Sequence, residues 1–382
     1  MSPLPLIPGD ILAKARLQAD ERGLDDVFIV DADAHHYELN SWAEVVEYIP
    51  DPIVRNLGRN PRPGRPGLIP PPLGTTDTVG RLMRGRPAPP PGDAHPDIAV
   101  TCDHMDAMGV DVSLVVPSLM QFLGLHPQAN TELNIAYAYN QWLVEKIIPE
   151  SPRIRPFLYL PFNTPDGCEK MIDRFGDAKG AAGFMISSTR YRAVHDNAYM
   201  RTYAMLEERG LPLAFHSGHD WLERPTDLVT RFLSVYAMSG AQFNMLHMTN
   251  WIVSGLPERF PELDLVWMEA GLAWLPYLMQ RLDSNFAMRS SEAPALKRRP
   301  SDYMRDMYYT SHPIEATGDE AGMEALEHIF RRIDAPNRLM WASGFPQWNF
   351  DTPSALWDLP FLDDLTRRNI LGGTAKKLFG LA

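Results

Sequence analysis

Short apolar runs recur along the chain, and each gives way to a stretch in which apolar residues return every three or four positions. Runs bounded by turn residues mark buried strands, and the intervening period is that of amphipathic helices. The pattern predicts strands over 27–33, 110–117, 154–160, 183–187, 213–217, 263–269, 307–310 and 338–343. It predicts helices over 131–148, 167–175, 197–209, 242–254 and 321–333, the third opening on Asn197 as a capping residue. Strands alternating with helices feed a parallel sheet, and eight such units predict a (β/α)8 TIM barrel. A doubly wound open sheet is the competing arrangement, but it calls for a Gly-rich phosphate turn that the sequence lacks.

The segment 48–97, between the first two strands, breaks the alternation. It carries Pro-Arg-Pro-Gly-Arg-Pro-Gly at 61–67 and three prolines at 70–72, a density that opposes helix and central strand alike. It is expected to be an irregular Pro-rich insertion in a single domain of 382 residues. A connection of that length lids a pocket, contacts a second subunit, or is a mobile surface excursion.

Composition narrows the classes. The net charge of −12 and a pI near 5.4 argue against nucleic acid and anionic membrane as partners. Cys102 and Cys168 are too few for a disulfide framework and lack metal-ligand spacing. With no basic-then-apolar leader at the start and no apolar run of membrane length, a soluble cytoplasmic protein is expected.

In a barrel the reacting groups sit where strands end, so the residues closing each apolar run carry the chemistry. Asp33 and His35 alternate on the first strand, so both side chains share one side, as two ligands of one divalent metal would. His216 closes the fifth strand and is a third candidate ligand, as well as a candidate catalytic group, with His219 beyond it on the pocket wall. Glu269 closes the sixth, where apolar neighbours would raise its pKa for general acid or base work, or an arginine would pair with it at the rim. His247 lies on the preceding helix, as a proton-transfer group or as packing between helix and barrel. His312 ends the seventh strand, and Arg190 and Arg192 follow the fourth, where a guanidinium would clamp a substrate carboxylate.

Four segments, in this order, carry a family resemblance: Asp33-Ala34-His35-His36-Tyr37-Glu38, Phe215-His216-Ser217-Gly218, the stretch from Ser254 through Glu269 to Pro276, and Ser343-Gly344-Phe345-Pro346-Gln347. From Val27 onward the chain resembles the amidohydrolase-related proteins, in the branch of the aminocarboxymuconate-semialdehyde and hydroxybenzoate decarboxylases. The resemblance implies a (β/α)8 barrel with one divalent metal, zinc or manganese. It also implies nonoxidative C–C cleavage or hydrolysis of an aromatic or ring-cleavage acid. Asp33, His35 and His216 match the family's metal ligands; Glu269 falls where relatives carry a histidine or glutamate, and His247 matches a helix histidine of several decarboxylases.

The last segment departs from the pattern. Relatives read Ser-Asp-Tyr/Phe-Pro-His there, with the aspartate on the metal, whereas this chain has Gly344 and Gln347. Glycine offers neither ligand oxygen nor proton acceptor from a side chain. Two arrangements stay open: an atypical metal site with Glu38 as a substitute oxygen ligand, or a metal-free site worked by His35, His216, His247 and Glu269. Asp351, seven residues past Gly344, is a more distant carboxylate. A noncatalytic barrel that binds a small-molecule ligand is the alternative function. Family habit implies a homodimer or homotetramer.

Overall fold

Eight parallel strands pair in chain order, β1 Val30–His36, β2 Val112–Pro117, β3 Ile154–Tyr159, β4 Gly183–Ile186, β5 Leu213–His216, β6 Leu265–Met268, β7 Tyr308–Thr310 and β8 Leu339–Met340. The computed structural model describes residues 8–36, 38–60, 89–90, 92–118, 120–187, 192–216, 226, 228–316 and 318–381. Helices cross between successive strands, among them Ala129–Trp142, Pro165–Phe175, Met200–Glu208, Phe232–Val253, Trp274–Arg289 and Glu320–Arg332. This is the expected (β/α)8 barrel.

The ring closes between β8 and β1. Ala32 N donates to Trp341 O at 3.0 Å, Gly344 N to Asp33 O at 2.9 Å, and His35 N to Phe345 O at 2.7 Å. A buried carboxylate adds a side-chain staple: Asp31 accepts from Ser343 N at 2.9 Å and from Ser343 Oγ at 2.5 Å. Burial pushes the Asp31 pKa up to about 6, against the lowering effect of those donors. Aromatic packing supports the opposite side of the ring, where Phe215 of β5 and Trp267 of β6 stack at 4.3 Å.

The structure shifts several predicted bounds. Val27 and Ile29 are buried, but Val27 N closes the turn Leu24–Asp26 and pairing with β2 starts at Val30, so β1 begins three residues late and runs on through His36. The helix ending at Val253 starts at Phe232, ten residues before its predicted start, because residues 232–241 hold no proline and the single Gly240 is carried inside the helix. Asn197 lies in a short turn, and the side chain that caps there is Asp196, whose Oδ1 accepts from Ala198 N at 2.9 Å. The Pro-rich stretch 48–97 is not irregular throughout. Pro52–Arg59 is a helix with proline at its first position, where no N–H is needed, and Asp51 caps it.

Candidate metal centre

Strand β1 supplies the first half of the site with Asp33 and His35; its pairing register with β2 slips between Asp31 and Ala34, and past that irregularity His35 and His36 point to opposite sides. His36 therefore leaves the site. Its ring stacks on Tyr139 and Trp142 and meets the Tyr139 hydroxyl, and burial pushes its pKa down to about 3. His216 closes β5, and Glu269 follows β6 with a backbone φ of 45°, a conformation that costs a non-glycine residue about 1–2 kcal/mol. Such outliers persist where the surroundings over-determine them. Glu269 N is held by Thr310 Oγ1 at 3.2 Å, and Asn244 donates to Met268 O at 3.2 Å.

The four side chains from β1, β5 and β6 converge. One ligand atom from each of Asp33, His35, His216 and Glu269 lies within 4.8 Å of the others, and all four residues are buried. His216 Nε2 is 2.9 Å from Glu269 Oε2 and 3.3 Å from Asp33 Oδ1; His35 Nε2 is 3.3 Å from Glu269 Oε2 and 3.7 Å from Asp33 Oδ1. Both carboxylate oxygens of Asp33 are buried, and among the described residues the groups facing them are the two imidazoles of the cluster. Burial pulls the His216 pKa down, but the Asp33 and Glu269 carboxylates outweigh it and carry it up to about 10.

Buried carboxylate oxygens of this kind are costly unless a cation answers them. Two imidazole nitrogens and two carboxylates form the mixed N/O donor set that suits zinc or manganese. The residues present therefore fit a divalent ion, and Glu269 supplies the second carboxylate that position 344 cannot. The rings are oriented from behind. Tyr236 donates to Gln347 Oε1 at 2.8 Å, which turns the Gln347 amide nitrogen to within 3.0 Å of His35 Nε2. On the far side of that ring, His35 Nδ1 lies 3.3 Å from Pro117 O, and Gln121 Nε2 is 3.0 Å from both. Both amide nitrogens are donors, so they hold the plane of the His35 ring between them, with Nε2 also 3.3 Å from Glu269 Oε2 at the cluster.

Other expected site residues lie apart from the cluster. Glu38 is spent elsewhere: its oxygens accept from Ser118 N at 2.9 Å and Met120 N at 2.6 Å, pinning the turn that carries Gln121. His247 is buried between Phe215 and Phe243, and burial pushes its pKa down to about 3, so it is neutral at ordinary pH. Arg192 is exposed and pairs with Asp196 at 3.3 Å. His312 is buried beside Gly344. Arg190 and His219 lie outside the described residues. Sequence reading missed Gln121 and Tyr236, although a lone amide within Met120–Leu125, otherwise apolar, was a signal for Gln121.

A (β/α)8 barrel whose strand ends gather two histidines and two carboxylates has the architecture of the metal-assisted hydrolases and lyases. The chain belongs to the amidohydrolase family, whose model matches residues 30–381. Among solved structures it is similar to a 5-carboxyvanillate decarboxylase from Sphingomonas paucimobilis, with TM-score 0.67, 19% identity, and coverage of 94% of this chain and 100% of that one. It is also similar to a dihydroxybenzoic acid decarboxylase from Polaromonas sp., solved with manganese and the inhibitor 2-nitroresorcinol, with TM-score 0.64, 17% identity, and coverage of 93% and 97%. An amidohydrolase from Mycobacterium avium subsp. paratuberculosis superposes with TM-score 0.71 at 17% identity, covering 94% and 99%. No curated protein matches the sequence.

Proposed function

We propose that the protein is a metal-assisted lyase that removes a carboxylate from a hydroxylated aromatic acid without oxidation. The observation that carries this reading is the Asp33 carboxylate, fully buried and set against His216, His35 and Glu269. Such a cluster in a barrel rim is built to hold a divalent ion. Similar folds solved as aromatic-acid decarboxylases, one of them with manganese, support the choice of reaction and of manganese over zinc. When bound, the ion supplies a fixed positive charge that holds and polarises the substrate's phenolic and carboxylate oxygens.

The chain's own residues do the rest. Asp33, His35, His216 and Glu269 would hold the ion, while Gln121 and Gln347, one amide at each ring nitrogen, fix the plane of the His35 ring. Their burial keeps bulk water from competing for the same positions. The reading extends to a homodimer or homotetramer working in the cytoplasm. Among the described residues no helix is long and apolar enough to cross a membrane.

Purified protein loaded with Mn²⁺ or Zn²⁺ tests the proposal. About one ion per chain, with CO2 released from 2,6-dihydroxybenzoate, 5-carboxyvanillate or a related hydroxybenzoate, supports it. A protein that takes up no ion, or that binds such acids without turning any over, overturns it in favour of a ligand-binding barrel.

A further inference from the structure

Gly344 and His312 contend for one volume. A Cβ placed on Gly344 would stand 2.2 Å from His312 Nε2, 2.3 Å from Cδ2 and 2.6 Å from Cε1, well inside contact distance. The imidazole therefore fills the space that a side chain at 344 would take. That space adjoins the cluster, because Gly344 N donates to the backbone oxygen of Asp33 at 2.9 Å.

Among the described residues the ring is held from one side only. His312 Nδ1 lies 2.9 Å from Asp351 Oδ2, which also accepts from Ile314 N at 2.9 Å. Asp351 N in turn donates to Ser343 O at 2.8 Å, which fastens the carboxylate to the chain just past β8. This fixes the tautomer with the proton on Nδ1 and leaves Nε2 as the reactive nitrogen. His312 is fully buried, and among the described residues Nε2 has no hydrogen-bond partner. A buried nitrogen oriented by a carboxylate and offered no partner is built to meet something that comes and goes. It also stands outside the four-residue cluster, so it is not one of the ion's candidate ligands.

We propose that His312, oriented by Asp351, is the catalytic residue that delivers the proton in this site, from the volume left vacant by the glycine at 344. For the identity of the proton acceptor this rests on the decarboxylase reading. In its protonated form His312 carries a second proton on Nε2, which passes to the ring carbon that bears the carboxylate, using a ring π pair to form the new C–H bond. The C–C bond to the carboxylate then breaks, its electron pair restores the aromatic ring, and CO2 leaves. Neutral His312 keeps the Nδ1 proton that it donates to Asp351, and one proton taken up from solvent per turnover restores the other. The charged groups acting on the ring are Asp351, Glu269 and Asp33.

The test compares metal-loaded wild type with His312→Gln and Asp351→Asn, reading metal content, melting temperature, kcat, KM and the pH profile. Gln keeps much of the imidazole's volume but cannot carry the proton. Both variants are expected to hold the ion and fold as wild type does. His312→Gln should lose about 100-fold or more in kcat with little change in KM. Asp351→Asn should retain partial activity and move the alkaline limb of the profile to lower pH, which loss of packing alone would not do. A His312→Gln enzyme that keeps its ion, its kcat and its pH profile overturns the proposal while leaving the decarboxylase reading intact. A wild type that holds its ion but releases no CO2 from the hydroxybenzoates defeats that reading, and this proton step with it. Should His312→Gln fail to fold, the Asp351→Asn profile decides alone: an unmoved alkaline limb overturns the proposal.

Discussion

Glu269 Oε2 stands 2.9 Å from His216 Nε2, brought there by a backbone held at a φ of 45°. A side chain that pays for its position in backbone strain is expected to matter to the site and to weaken the fold slightly. Glu269→Gly and Glu269→Ala should both bind Mn²⁺ or Zn²⁺ at least tenfold more weakly than wild type, since a ligand oxygen is lost in each. The glycine variant should nonetheless be more stable than the alanine variant, by about 1 kcal/mol, because only glycine relaxes that backbone. Chemical denaturation of the two metal-free variants checks this, and equal midpoints would mean that no strain is stored there.

The amide behind His35 acts at one remove from the ion. Gln121→Leu removes the group that braces Nδ1 and Pro117 O without touching the cluster. Metal affinity should fall about 10–100-fold, with the fold's melting temperature nearly unchanged. Calorimetric titration with Mn²⁺ measures it directly.

A proton and a metal ion compete for His216. With the Asp33 and Glu269 carboxylates carrying its pKa to about 10, the metal-free site is protonated at neutral pH, and ion binding must expel that proton. Apparent affinity should therefore rise about tenfold per pH unit below that value. Proton release measured in two buffers of different ionisation enthalpy should be close to one per ion; no release would show that the site binds without displacing it.

Acid should act through His247. Its folded pKa of about 3 lies below the unfolded value, so the unfolded chain takes up the proton first. The stability tied to its neutral form is whole above about pH 6.5 and is lost as pH falls toward 3, at about 1.4 kcal/mol per unit. His247→Leu should flatten the fall in denaturation midpoint between about pH 6 and pH 4.5 relative to wild type. A parallel fall in both proteins would show that the histidine is charged in the fold.

Position 344 is expected to refuse a side chain while His312 is present. Gly344→Asp should cost about 2–3 kcal/mol from overpacking, added to the strain of a φ of 67°. In a His312→Gly background the same change should cost less than half as much, a coupling that a double-mutant cycle of unfolding free energies reads out.

The barrel was legible because its strands are short apolar runs with helices between them, and three of the four cluster residues were visible as polar residues closing those runs. Glu269 was visible too, but as an acid or base, since nothing in the sequence says that a left-handed backbone turns its carboxylate toward His216. His312 posed the harder problem. Its ring reaches the space over Gly344 only because β7 and β8 are neighbours in the closed ring, and Asp351 backs it from a loop that folds against both. Periodicity reports which face a residue occupies; it does not report which residues from separate strands will crowd a single volume.

The distribution of the four cluster residues has a consequence for when a cation could be captured. Two arrive with the first strand and two with the fifth and sixth, far along the ring in pairing order. Neither half of the chain owns a chelating pair large enough to capture a cation firmly by itself. On the proposed reading an ion would be taken up only by molecules whose circle of strands is complete, and metal content in a preparation would then double as a count of correctly assembled protein.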